Sequence, residues 1–289
     1  MTSISSMLER ARIAHRGVGH FNISDSNQLK AIANAARETG LPVVVGLSEG
    51  EREFLPLAQV RGMIDCYRAE GLQMFLNADH TYSFDKARDA IDAGVDSIVV
   101  DGAKLSYAEN VKLVSLVVIY ARGSGRDVVV EGELGYIGQS SQVIDRLPEG
   151  AAVTEAMMTK PEELHRFAIE TGVDAMAPAV GNVHGIVSSG QPKLSIERIK
   201  ALVAESPVPL VLHGGSGSSD EEFREAVAAG IAMIHINTEL RLTYRHGIER
   251  GLASMPHEAA PYKFLAPAVE DMSAYVAQKL RLFSGTSMI

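Results

Sequence analysis

The stretch MFLNADHTYSFDKARDAIDAGVDSIVVD, residues 74–101, reads as one repeat of a fold. It opens on an apolar run, 74–79, and closes on a second, 97–101. Between them lies a segment of helix length that ends at Gly94, the residue type that most readily takes the left-handed turn at a helix end. Both runs are short and largely apolar, as strands buried on two faces are. The same unit recurs along the whole chain. Strand-like runs fall at 18–22, 42–48, 74–79, 97–101, 128–134, 174–180, 209–213 and 232–237. Helix-length segments with apolar spacing near 3.6, such as 28–38 and 108–121, separate them. Gly40, Gly71, Gly94, Gly172 and Gly230 each close a helical segment just before a strand. Eight such repeats predict an α/β protein built as one closed (β/α)8 (TIM) barrel over residues 1–289, rather than an open doubly wound sheet. A further helix is expected at 268–283, and 135–159 is the longest stretch without periodicity. That stretch follows the fifth strand, where a long loop is expected to act as a lid.

Composition narrows the partners. The formal charge of −9 argues against a nucleic-acid or anionic-membrane surface, while small anionic substrates answer to local groups. Cys66 is the sole cysteine, so no intrachain disulfide forms, which fits a reducing compartment. The first residues lack a signal-peptide pattern, and no run reaches the roughly 18 apolar residues of a membrane span. A soluble cytoplasmic protein is expected, with no nucleic acid and no membrane among its partners.

In such a barrel, chemistry sits at the carboxyl ends of the strands. His80 directly follows the third run, His184 follows the sixth, and His213 ends the seventh. If their strands are neighbours in one sheet, three imidazoles with an open fourth position make a catalytic zinc site with the Asp79 carboxylate beside it; the plain alternative is three unrelated histidines in capping or core roles. Asn22, Ser48, Asn237 and Thr238 are further polar strand ends. Asp101, Glu131 and Glu133 allow two readings. They pair with lysines in the barrel mouth, or they serve the metal, as an oxygen-rich second cation site or as acceptors that orient the histidines. Glu131 and Glu133 are two apart and share one side of their strand. The turn His213-Gly214-Gly215-Ser216-Gly217-Ser218-Ser219-Asp220 has the small residues whose backbone N–H groups cradle phosphate; the plain alternative is a loop capped at Ser219 or Asp220. His235, within the eighth run, is either a packed core histidine or a polar group over the site, and His20, Tyr136 and Tyr262 are equally open.

Taken together these motifs resemble the class II, zinc-dependent fructose-bisphosphate and tagatose-bisphosphate aldolase family. The resemblance rests on Asp79-His80, on 97–102, on Glu131-Gly132-Glu133-Leu134-Gly135, on Gly181-Asn182-Val183-His184-Gly185 and on His213-Gly214-Gly215-Ser216-Gly217. It implies retro-aldol cleavage of a ketose phosphate to dihydroxyacetone phosphate and an aldehyde, with Asp79 as the acid/base. It implies Zn2+ at His80, His184 and His213, with Asp101, Glu131 and Glu133 as further metal-site residues. Gly185, Gly214 and Ser216 would hold the 1-phosphate, with Gly215, Asn22, Ser48, His235, Asn237 and Thr238 as further substrate contacts. A monovalent cation, Na+ or K+, and a homodimer or homotetramer are also implied. No Schiff-base lysine is needed; Lys104 is the lysine nearest a strand end. Three departures stand out. The turn 138–142 lacks the family's loop acid, His235 replaces an asparagine, and Ala260-Pro261-Tyr262-Lys263 replaces Asp-Pro-Arg-Lys, whose arginine meets a distal phosphate. They weaken a plain fructose 1,6-bisphosphate assignment and favour a far end that lacks the phosphate or carries another group; by family frequency fructose or tagatose bisphosphate stays the leading expectation, with a ketose 1-phosphate close behind. The alternatives are a metal-dependent sugar-phosphate isomerase or epimerase, and a catalytically silent accessory subunit.

Overall fold

The computed structural model describes residues 2–138, 142–147, 149–151 and 153–285. Eight parallel strands close into a barrel: β1 (Val18–Asn22), β2 (Val43–Leu47), β3 (Met74–Thr81), β4 (Ser97–Val100), β5 (Val129–Leu134), β6 (Ala175–Pro178), β7 (Leu210–Leu212) and β8 (Ile231–Ile236). Each strand pairs with its neighbours in sequence, and β1 pairs with β8 to complete the ring. All eight expected strands are present, and the five helix-ending glycines all have positive φ. The expected tail helix is Ala266–Ser284. Among the described residues, the long stretch after β5 carries one regular feature, a two-residue ladder of Val143–Ile144 with Ile186–Val187.

Side chains alternate across each strand. Val43, Val45 and Leu47 of β2 face the ring of helices, as do Leu76, Ile98, Val130 and Ile234 of other strands. Inside the barrel the lowest layer is apolar: Val18, Val44, Phe75, Val129, Ala175, Val211 and Met233. The helix Ile4–Ala14 plugs this end with Ile4, Met7, Leu8 and Ala11. Two residues further up, the same strands turn polar, with His20, Asn77, Glu131, His213 and His235, all buried. The barrel is thus a greasy plug under a polar, buried floor, and that floor carries the site.

Candidate active site

β3 delivers two adjacent residues to the mouth, which a regular strand cannot do. Its register with β4 runs Asn77↔Ser97 and Ala78↔Ile98, then shifts to Thr81↔Val100, so β3 carries one extra residue. This bulge falls at Asp79-His80 and re-aims both side chains. His80 takes φ 38°, a left-handed conformation that costs a non-glycine residue about 1–3 kcal/mol and is held where surroundings over-determine it.

The three histidines meet. One ligand atom from each of His80, His184 and His213 lies within 4.8 Å of the others. Each ring has one nitrogen engaged on the side away from that point. His80 Nδ1 donates to Asp101 at 3.0 Å, His184 Nδ1 to the Gly138 carbonyl at 2.7 Å, and His213 Nε2 to Glu131 at 2.7 Å. Such bonds fix the tautomer and leave the opposite nitrogen as a lone-pair donor. His213 Nδ1 is buried with no hydrogen bond, and Glu133 Oε2, also without one, lies 3.3 Å from it. Burial opposes a charge on His80, but the carboxylates of Asp79, Asp101 and Glu133 outweigh it and raise the imidazole to about 9. Burial, with repulsion from His80 and His213, pushes His184 down to about 3. Carboxylates that draw a proton to this point draw a metal cation to it equally. The donor set, its tautomers and the orphaned atoms therefore fit a zinc ion. Asp101, Glu131 and Glu133 have imidazoles as partners rather than lysines: Asp101 and Glu131 accept behind His80 and His213, while Glu133 lies 3.5 Å from His80 Nδ1 and faces the inner nitrogen of His213.

Asp79 is almost wholly buried. Asn22 Nδ2 donates to it at 2.9 Å and to Glu51 at 2.9 Å. Glu51 in turn accepts from the Ser48 N–H and hydroxyl and pairs with Arg241. Burial works against ionising Asp79, but His80, His235 and His20 hold its carboxyl well below the usual range. It is a carboxylate poised beside the three-histidine point.

His235 is both a packed ring and a polar group. It stacks on His20 with centroids 3.5 Å apart and planes 5° off parallel, and on His213 at 4.1 Å. Its Nδ1 lies 3.5 Å from Asp79. His20 donates through Nε2 to Asn77, which donates to Ser97. Gly46 makes room for the stack, since a Cβ there would sit 2.2 Å from the His20 ring. Gly46→Ala is therefore expected to cost about 1–3 kcal/mol by overpacking. Denaturant unfolding measures it, and unchanged stability would mean that His20 moves aside freely.

These groups open into a cavity of about 640 Å³. Of the residues read from sequence, Asn22, Ser48, Asp79, His80, His184, Gly185, Gly214, Ser216, His235, Asn237 and Thr238 line it. Gly215 does not; its N–H donates to the His235 carbonyl, so it packs the loop against β8 and presents no donor to the cavity. The turn is also capped as the plain reading expected, at Ser219, with Glu222 completing the box. Tyr136 and Gln142 bring the stretch after β5 into the lining. Of the altered loop turn 138–142, positions 139–141 lie outside the described residues. Tyr262 is 76% exposed and does not line the cavity. Sequence reading missed Glu51 and Arg241. The pattern Ser48-x-x-Glu51 is a capping-box signature that would have flagged the first, whereas nothing local flags Arg241. It also passed over Asn182, whose side chain donates to the His213 carbonyl at 2.9 Å.

Comparison with known proteins agrees with this geometry. The family model described as fructose-bisphosphate aldolase class-II matches residues 2–287. The fructose-bisphosphate aldolase of Geobacillus stearothermophilus is 33% identical over 291 residues, covering 99% of this chain and 98% of that protein. The probable fructose-bisphosphate aldolase of Bacillus subtilis (strain 168) is 32% identical, covering 99% of each chain. The crystal structure of the YdjI aldolase from Escherichia coli K12 superposes with a TM-score of 0.82 at 25% identity, over 99% of each chain. A closed eight-strand barrel with three histidines and an aspartate at its mouth, matched end to end by that family model, makes this chain a member of the class II fructose-bisphosphate aldolase family, an aldehyde-lyase of carbohydrate metabolism acting on phosphorylated sugars.

Proposed function

We propose that the protein is a zinc-dependent aldolase that cleaves a ketose 1-phosphate to dihydroxyacetone phosphate and an aldehyde. The observation that carries the metal is the convergence of His80, His184 and His213, each with its outer nitrogen held by an acceptor. Zinc bound there supplies a Lewis acid for the ketose oxygens. Asp101, Glu131 and Glu133 orient the imidazoles and balance the charge. Asp79 takes the proton from the hydroxyl as the adjacent C–C bond breaks to give the aldehyde, and the carbon that keeps the electron pair takes up a proton from solvent to become dihydroxyacetone phosphate; in synthesis both protons move in reverse. Asn22 and Glu51 hold that carboxylate in place. Gly185, Gly214, Ser216, Asn237 and Thr238 form the phosphate cradle, and a monovalent cation, Na+ or K+, sits beside it by analogy with the family. Family resemblance likewise supports a homodimer or homotetramer. The single cysteine supports a cytoplasmic site of action, and no helix among the described residues is long and apolar enough to cross a membrane.

The far end of the substrate is where this chain departs from the pattern that the family resemblance implies. Neither Arg52 nor Lys263, the nearby cations that could replace the missing arginine, lines the cavity. Arg52 donates to Thr81 and to the His80 carbonyl, and Lys263 pairs with Glu258. The lining cations among the described residues are Lys104, over the Tyr136 ring, and Arg241, engaged by Glu51. A distal phosphate gains less from such a wall than from an uncommitted arginine fork, because Arg241 is already paired with Glu51 and Lys104 offers a point charge. Fructose 1-phosphate is therefore expected to match or exceed fructose 1,6-bisphosphate in kcat/KM, with release of triose phosphate as the readout. A bisphosphate preference on the order of a hundredfold, roughly 3 kcal/mol, would overturn the assignment. A silent accessory subunit is the second reading, motivated by the altered loop turn, and is tested by metal content, since such a subunit need not hold one zinc per chain.

A further inference from the structure

The loops that follow β6 and β7 each carry one of the converging histidines and one wall of the phosphate cradle. They are tied together at two depths. The inner ties sit at the histidines. Asn182 donates to the His213 carbonyl, and Gly214 packs so closely that a Cβ there would lie 2.4 Å from the Val183 oxygen. The outer tie is a single side chain. Gln191 Nε2 donates to the Ser216 carbonyl at 3.1 Å and reaches the Gly185 carbonyl at 3.5 Å. Its Oε1 accepts from the Val187 N–H at 2.9 Å, which fixes the plane of the amide and so the direction of both donor hydrogens. The loop is shaped around this group. Gly217 takes φ +92°, and a Cβ there would fall 2.8 Å from Gln191 Cδ and Oε1.

We propose that Gln191 is a positioning residue for substrate phosphate, setting the spacing between Gly185 and Ser216 across the cradle. The proposal rests on the cradle assignment made under the proposed function. Gln191 does not line the cavity, so it acts only through the two loops it spans. Glycine-rich loops lose much conformational freedom when ordered, and the brace places that loss in folding rather than in binding. Without it the cradle must be ordered by each incoming phosphate. The inner ties are untouched, so the histidines keep their places.

The test uses zinc-loaded, full-length protein in three forms: the parent, Gln191→Leu and Gln191→Glu. The glutamate variant keeps the size and the acceptor for Val187 but cannot donate to two carbonyls, so it serves if the leucine variant folds poorly. Inorganic phosphate is titrated calorimetrically, zinc content is measured, and kinetics follow on fructose 1-phosphate. Both variants should bind phosphate about tenfold more weakly, the scale of a lost hydrogen-bond brace. KM should rise by a similar factor while kcat and zinc content hold, a split that general damage to the barrel would not produce. Parent-like phosphate binding in both variants would overturn the brace. So would loss of zinc together with phosphate, which would place Gln191's effect on the histidines. A parent that takes up no phosphate would refute the cradle itself, and the brace with it.

Discussion

A His184→Ala protein should lose most of its zinc and nearly all of its activity while keeping its circular dichroism. His184 stands on a loop rather than a strand, with Nδ1 held by the Gly138 carbonyl, so its removal leaves the barrel's hydrogen bonding intact. Two imidazoles remain at the point where three met. Zinc sites depend on ligand number, and an ion reduced from three protein ligands to two is readily lost. Metal analysis after dialysis against a weak chelator is the decisive measurement. Full occupancy in this variant would mean that the ion sits elsewhere among the buried carboxylates.

Asp79→Ala should behave in the opposite way, keeping the metal and losing the reaction. The carboxylate lies 3.8 Å from His80 Nε2 and is held from behind by Asn22. It is placed to exchange a proton with a substrate oxygen at the metal, and general acid–base groups contribute about a hundredfold or more. A fall of that size, roughly 3 kcal/mol in activation free energy, should appear in kcat with zinc content unchanged. Loss of zinc in parallel would show that Asp79 acts by holding His80 rather than by moving a proton.

The architecture was legible because strand runs and helix-ending glycines repeat eight times, and both signals are local. The convergence of His80 and His213 was legible because both stand where such runs end. The way Asp79 and His80 both reach the mouth was not, because a bulge is a property of the β3–β4 pairing and leaves no mark on β3 alone. The roles open to Asp101 and Glu131 narrowed once their partners were seen to be His80 and His213. Contacts between distant segments were invisible. Glu51 and Arg241 pair across 190 positions, and no spacing rule joins them. Gly46 and His20 are complementary shapes, one absent side chain making room for one ring, and each reads as ordinary by itself.

The pairing of β1 with β8 sets the order of events as the chain is made. Val18 leaves the ribosome early and waits for Met233, its neighbour in the finished ring. Until then the nascent sheet is an open arc with a raw edge on β1, the kind of edge that invites wrong partners. His80, His184 and His213 have all emerged before that seam can close. The strand that closes it carries His235, which lands between His20 of the first strand and His213. One late docking step therefore welds the seam and clamps a histidine of the site together.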